Sequence, residues 1–128
     1  MTHKIKMNNT LIIIGPMTTL NEYIDAERGN KFAAAKIKKS ETERVAWECK
    51  RQKIDKVGDK RVYVYFKWFC ENRKSDPDNI CFAKKFILDG LVMAKVLQGD
   101  GQKHIAGFID KFYVDDNPRV EVEIVSVL

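Results

Sequence analysis

Apolar residues recur along this chain with two periods, two and about 3.6, and the switches between them divide it into elements. The segment "TLIIIGP" (10–16) is apolar, β-branched and stopped by Gly15-Pro16, which predicts a strand; "MTTLNEYIDAERGN" (17–30) after it reads as a loop. From about Lys31 to Asp55, Ala34, Ile37, Val45, Cys49 and Ile54 recur at roughly helical spacing among many charged residues, so a long helix is expected, ended by Val57-Gly58-Asp59. In "RVYVYFKWF" (61–69) Val62, Val64, Phe66 and Trp68 alternate with a second face that is also mostly apolar, the pattern of a strand inside a sheet. A second helix is predicted from about Pro77 to Val96, followed by a break at Gly99 and Gly101. Two strands, "KHIAGFIDKFYV" and "RVEVEIVSV", then flank the turn signal "DDNP"; the second alternates Val120, Val122 and Ile124 with Glu121 and Glu123.

The predicted order is β-α-β-α-β-β, an α+β fold with a small mixed sheet packed with two helices. With 128 residues and neither repeats nor a linker, residues 1–128 are expected to form a single domain. The longest apolar run, "LIIIG", is far too short to cross a bilayer, and the amino-terminal "MTHKIKMNN" leads to Gly-Pro rather than to a small-residue cleavage site. A cytoplasmic protein with no membrane partner is therefore expected.

Charge changes the picture because it is local. The formal net charge is +5, yet residues 31–61 hold eleven Lys or Arg against five acids, leaving the rest of the chain close to neutral. A polyanion partner and a merely solvated helix explain this equally well. The three cysteines, Cys49, Cys70 and Cys81, form no CxxC pair, and with only His3 and His104 beside them the spacing argues against zinc. Reduced, buried thiols in a reducing compartment are the expectation.

The acids of "SDPDNI" (75–80) pose a sharper question. Asp76 suits a helix N-cap, Pro77 the first helical position, and Asp78 the positive end of the helix dipole. The same residues also suit a metal. Pro77 biases Asp76 toward extended backbone, where residues two apart point the same way about 6.6 Å apart, and magnesium takes one or two carboxylates with water and phosphate oxygens. Asp89 lies near the same helix face but about 16 Å further along the axis, too far to share that ion, so helix packing or a dimer contact is expected of it. Asp100, between two glycines in the return toward a strand, can serve as a third ligand or simply as a turn residue. Lys85 lies about 20° off the face of Asp78 and about 10 Å along, so its ammonium is expected to reach back to the acids, whereas Lys84 points elsewhere. Arg73 and Lys74 precede the acidic pair and would attract a phosphate backbone.

At these residues the chain resembles a known family. The string "DPDNI…AKKFILDGL…GDGQ…NPRVEVEI" is similar to the RusA family of Holliday junction resolvases, found mainly in phages and prophages, and "GPMTTLNEYIDAERGNKFAAAKIKK" resembles the amino-terminal half of its phage-type members. The resemblance implies a small homodimeric α+β endonuclease that uses magnesium or manganese to nick opposed strands of a four-way DNA junction inside a bacterial host. It makes Asp76, Asp78 and Asp100 the metal-binding acids and Lys85 the catalytic lysine. The family's shorter pattern places the lysine four residues after the second Asp; here an extra turn intervenes, and Lys85 is chosen for its four-residue spacing to Asp89, with Lys84 as the alternative. The family often has two acids before the Gln, where this chain has Gly99 and Asp100.

The mechanism so implied is metal-assisted phosphodiester hydrolysis, with Lys85 steadying developing charge. The basic first helix, through Lys36, Lys38 and Lys39, and the loop residues Tyr23, Arg28 and Lys31 would hold the junction arms by backbone contacts and shape. Two rival readings remain: a non-catalytic DNA-binding module, which leaves the acids in "RKSDPDN" unexplained, and a metal-dependent phosphoesterase acting on nucleotides, which leaves the local basicity idle.

Overall fold

The computed structural model describes residues 7–127. His3 and the first residues of the basic amino terminus lie outside them. Four strands form one sheet: β1 (Thr10–Ile14), β2 (Val62–Cys70), β3 (Ile105–Val114) and β4 (Arg119–Ser126), in the order β1-β4-β2-β3. β4 runs antiparallel to both β1 and β2, and β3 runs parallel to β2, so the sheet is mixed and β2 is interior as its two-sided apolar pattern predicts. A parallel pair needs a long crossover, and residues 71–104 supply it.

The period-two positions decide which face of the sheet is covered. Leu11, Ile13, Val62, Val64, Phe66, Trp68, Val120, Val122 and Ile124 are buried on one face. They share a single core with Val45, Ala46 and Cys49 of helix α2 (Lys31–Arg51) and with Phe86, Ile87, Leu88 and Leu91 of helix α4 (Lys84–Met93). The α+β class and the mixed sheet packed with two principal helices are thus as the patterning predicts. α2 and α4 approach closely at Gly90, where a Cβ would stand 2.4 Å from Val45 Cγ1. The opposite face carries Tyr63, Tyr65 and Ile12, all partly exposed. Among the described residues no helix is long and apolar enough to cross a membrane.

Three boundaries differ from the sequence-based expectation. Residues 17–30 are not all loop: Leu20–Gly29 form a helix, α1. Its start is a capping box, with Thr19 Oγ1 accepting from the Glu22 amide at 3.3 Å and Glu22 Oε1 accepting from the Thr19 amide at 3.0 Å. The helix buries no residue completely, so hydrophobic periodicity gives it no signal, while T-x-x-E does. Further, α2 ends at Arg51 rather than near Asp55. Lys53 adopts a left-handed conformation (φ 56°) and Ile54 donates to Cys49 O at 3.0 Å, closing the helix in a Schellman motif.

The third difference matters most for function. The helix expected over 77–96 is divided into α3 (Pro77–Cys81) and α4 by a tightened step at Phe82-Ala83. Both residues keep right-handed helical angles, but Ala83, Lys85 and Phe86 donate to carbonyls three residues back, at Ile80, Phe82 and Ala83. Such 3₁₀ bonding advances about 120° per residue rather than about 100°, so three tightened residues turn the following helix by about 60°. Lys85, about 20° short of the face of Asp78 in a regular helix, is carried about 40° past it, so the two stay near one side of the helix. α4 ends at Met93, where Lys95 (φ 63°) forms a second left-handed cap.

Candidate active site

Asp76 has extended backbone (φ −68°, ψ 148°), as expected before Pro77, and its carbonyl accepts from the Asn79 and Ile80 amides at 3.1 Å each. Its carboxylate, however, makes no capping hydrogen bond. The chain starts α3 with backbone alone, so capping does not account for the Asp76 side chain. The Asp78 carboxylate accepts from the Asn79 amide at 3.0 Å. Both carboxylates are exposed, and neither forms an ion pair with a described residue.

Asn79 is the residue that fixes this turn. Its Nδ2 donates to Ser75 Oγ at 2.6 Å, and its Oδ1 accepts from the Asn21 amide at 2.8 Å. The acid-bearing turn is thereby tied to the start of α1. Sequence patterns assign Asn79 no role of its own; an amide adjoining two acids at a helix start is the signal that could have marked it. Glu41 secures the same region from α2, with Oε2 accepting from the Thr18 amide at 2.9 Å and Oε1 from Arg44 at 3.3 Å.

The two lysines part company. Lys84 is half-buried and its Nζ lies 2.7 Å from Asp110 Oδ2, over the rings of Phe66 (5.3 Å) and Phe108 (4.7 Å). Asp110 Oδ1 also accepts from Trp68 Nε1 at 2.9 Å. Lys85 is exposed, and its Nζ sits 3.2 Å from Asp89 Oδ1 and 3.9 Å from Asp100 Oδ2. Its ammonium leans along α4 toward Asp89 rather than back toward the start of α3. Asp89, expected in helix packing or a dimer contact, pairs with Lys85 within the chain. Asp110, which no sequence motif singles out, engages Lys84; strand periodicity could have placed it opposite Phe66 but not beside a helix residue.

The connection at 99–101 carries Asp100 to Lys85, 3.9 Å from its Nζ. A Cβ at Gly99 would stand 2.9 Å from His104 Nδ1, so an acid there would collide with that ring. Among the described residues no group of three or more carboxylate, thiol or imidazole side chains stands close enough to hold one ion. The expected convergence of Asp100 on Asp76 and Asp78 is not seen. The Asp76–Asp78 pair by itself has the donor chemistry for a hard divalent cation, whose shell is completed by water and phosphate oxygens.

Electrostatics link the acidic turn to Lys84. Burial pushes the Cys81 thiol above its usual range, Lys84 opposes this, and the carboxylates of Asp110 and Asp78 add to it. Burial likewise raises Cys70. All three cysteines are free, Cys49 buried and the other two half-buried.

The residues expected to grip DNA occupy several elements. Lys31, Lys36, Lys38 and Lys39 are exposed on α2, Arg28 is exposed in the last turn of α1, and Arg73 and Lys74 are exposed between β2 and α3. Tyr23 differs. Its ring is half-buried, 5.2 Å from Phe82 and 6.1 Å from Phe86, where it docks α1 against the core.

The model of the family described as endodeoxyribonuclease RusA matches residues 14–125, nearly the whole chain. No curated protein matches it. The chain belongs to the RusA family, whose members are Holliday junction nucleases acting on branched DNA.

Proposed function

We propose that this RusA-family endodeoxyribonuclease resolves four-way DNA junctions by metal-assisted hydrolysis at the turn that starts α3. The single observation that carries the reading is the state of Asp76 and Asp78: two exposed carboxylates on one tied turn, paired with no described cation, of which Asp76 makes no capping hydrogen bond and Asp78 accepts only from the Asn79 amide. They would hold a magnesium or manganese ion. Asp100 stands apart from them, 3.9 Å from Lys85, and would serve as a third carboxylate donor only by moving toward the pair when substrate and ion bind. An ion held by Asp76 and Asp78 would supply Lewis-acid chemistry, polarising the scissile phosphate and lowering the pKa of an attacking water.

The chain's own residues do the rest. Lys85, exposed and oriented by Asp89, supplies a mobile positive charge for a non-bridging phosphate oxygen as negative charge develops. Lys84 is committed to Asp110 and is a structural cation. Lys31, Lys36, Lys38 and Lys39 on α2, together with Arg28, Arg73 and Lys74, bind the arms through phosphates. Resolution requires two opposed cuts, and one chain carries one acidic turn, so the reading calls for a homodimer with one site per copy. Free cysteines throughout suit the bacterial cytoplasm, where such junctions arise.

The test is cleavage of a synthetic four-way junction beside a matched linear duplex, with magnesium, with manganese and with chelator. Paired cuts in the junction alone, dependent on either metal, are expected. Equal cutting of the duplex, or cutting in chelator, would overturn the reading.

A further inference from the structure

Residues 75–79 form a closed unit of chain. Asn79 Nδ2 donates to Ser75 Oγ at 2.6 Å and the Asn79 amide donates to the Asp76 carbonyl at 3.1 Å, so a side-chain bridge and a backbone bond both close around Asp76, Pro77 and Asp78. The other end of the Asn79 side chain leaves the turn, where Oδ1 accepts from the Asn21 amide at 2.8 Å. Asn21 is the second residue of α1, and its N–H is one of those a helix start cannot satisfy internally. Because that N–H can only donate, the side-chain oxygen must face α1 and the NH2 group must face Ser75. One orientation of the amide serves both partners.

Starting a helix does not require these ties. α3 is five residues long, begins on Pro77 and takes no side-chain cap from Asp76. What the ties fix is the backbone that carries two like charges, whose repulsion opposes any arrangement bringing them to one ion. The anchor on the far side is itself held, since Tyr23 of α1 packs 5.2 Å from Phe82, just beyond α3. Groups bonded around a metal site set the orientation of its ligands, and losing one typically costs roughly 10–100-fold in metal affinity.

From this we infer that Asn79 is a positioning residue for the ion: bound to Ser75 on one side and to α1 on the other, it holds the backbone of Asp76 and Asp78 ready before the cation arrives. The inference rests on the acidic turn being the cutting site. It assigns Asn79 no contact with metal or substrate; its effect passes through the two acids it brackets.

The experiment separates metal affinity from stability and from DNA binding. Manganese binding is read from the electron spin resonance of the free ion for the full chain and for Asn79→Ala, Ser75→Ala, Ser75→Thr and Asp78→Asn. Each also has a thermal melt, a junction gel shift in chelator and a magnesium titration of junction cutting. Asn79→Ala is expected to weaken manganese binding about tenfold and to raise by the same factor the magnesium needed for half-maximal cutting, with cutting largely restored at saturating magnesium. Its melt and its gel shift should stay near those of the wild type, because Asn21 is exposed and water replaces the lost acceptor. Ser75→Ala, which leaves the anchor on α1 intact, should shift both readings the same way by less, and Ser75→Thr, which keeps the hydroxyl, should recover what Ser75→Ala loses. Unaltered manganese affinity in Asn79→Ala and Ser75→Ala, beside a clear loss in Asp78→Asn, would overturn the inference alone. Equal manganese binding by the wild type and Asp78→Asn would instead overturn the active-site reading, and the inference with it.

Discussion

Lys85 Nζ lies 3.9 Å from Asp100 Oδ2, joining the first turn of α4 to the Gly-Asp-Gly connection fifteen residues later in the chain. Neighbouring Lys84 turns into the molecule and pairs with Asp110 at 2.7 Å. One ammonium is exposed; the other is half-buried and paired.

Replacing each should therefore have opposite effects. Lys85→Ala is expected to reduce junction cutting at least a hundredfold with the melting temperature nearly unchanged, since exposed ion pairs contribute little to stability. Lys84→Ala leaves Asp110 half-buried with only the Trp68 donor, and should destabilise by roughly 1–3 kcal/mol while retaining cutting at permissive temperature. Single-turnover cleavage and denaturant melts of both variants check this. A stable, inactive Lys84→Ala would reassign the catalytic lysine.

The basic helix makes a separate, quantitative claim. Lys36, Lys38 and Lys39 are exposed on α2. Replacing all three by Ala should flatten the slope of log affinity against log salt by about three phosphate contacts, affecting junctions of every sequence alike. An unchanged slope would place the DNA on another face.

Two lysines occupy left-handed backbone where glycine is preferred. Lys53 (φ 56°) and Lys95 (φ 63°) each follow a helix and are closed by Schellman hydrogen bonds, Ile54 to Cys49 and Val96 to Leu91. Lys53→Gly and Lys95→Gly should each stabilise by roughly 1 kcal/mol, read as a shift of the denaturant midpoint at constant m. The corresponding alanine variants should show no such gain.

Alkaline stability should report on Cys49. Burial, with the nearby Glu48 charge, pushes its thiol from 9.0 to about 12. In the folded chain the proton is then kept where the unfolded chain releases it, so stability falls as pH rises from about 9 toward about 12, by up to about 1.4 kcal/mol per pH unit. Cys49→Ala should be less stable at neutral pH and should lack this component of the slope. A slope identical to wild type would mean that the thiol titrates normally in the fold.

Much of this architecture is legible in the residues, for reasons that also explain the gaps. Period-two alternation in 62–68 and 120–124 reports a half-covered sheet, and no other element can satisfy it. The helix at Leu20–Gly29 buries no side chain fully, so its evidence is confined to the Thr19/Glu22 capping box. The step at Phe82-Ala83 is invisible to periodicity because a 3₁₀ turn leaves the apolar positions of Ile80, Phe86, Ile87 and Leu91 at nearly helical spacing while rotating α4 about its axis. Helical spacing ties Lys85 to Asp78, but it offers Asp89 four residues on as well, and the structure places the ammonium beside Asp89 and Asp100. The pairing of Lys84 with Asp110 depends on how a helix docks over a strand twenty-six residues away, which local patterns do not carry.

The exposed acids at the start of α3 are assigned the ion that cuts DNA, and the most direct measurement of that assignment is junction cleavage by Asp78→Asn in magnesium, beside a gel shift in calcium and a thermal melt. The substitution keeps size and local hydrogen bonding but removes a negative donor oxygen. Cutting should collapse while the fold survives, and junction binding should persist or tighten because one negative charge facing the phosphates has gone. Asp76→Asn and Asp100→Asn should behave alike. Full cutting by Asp78→Asn, with at most about 1 kcal/mol lost from stability, would contradict the assignment and leave Asp78 as an acid that merely complements the helix dipole.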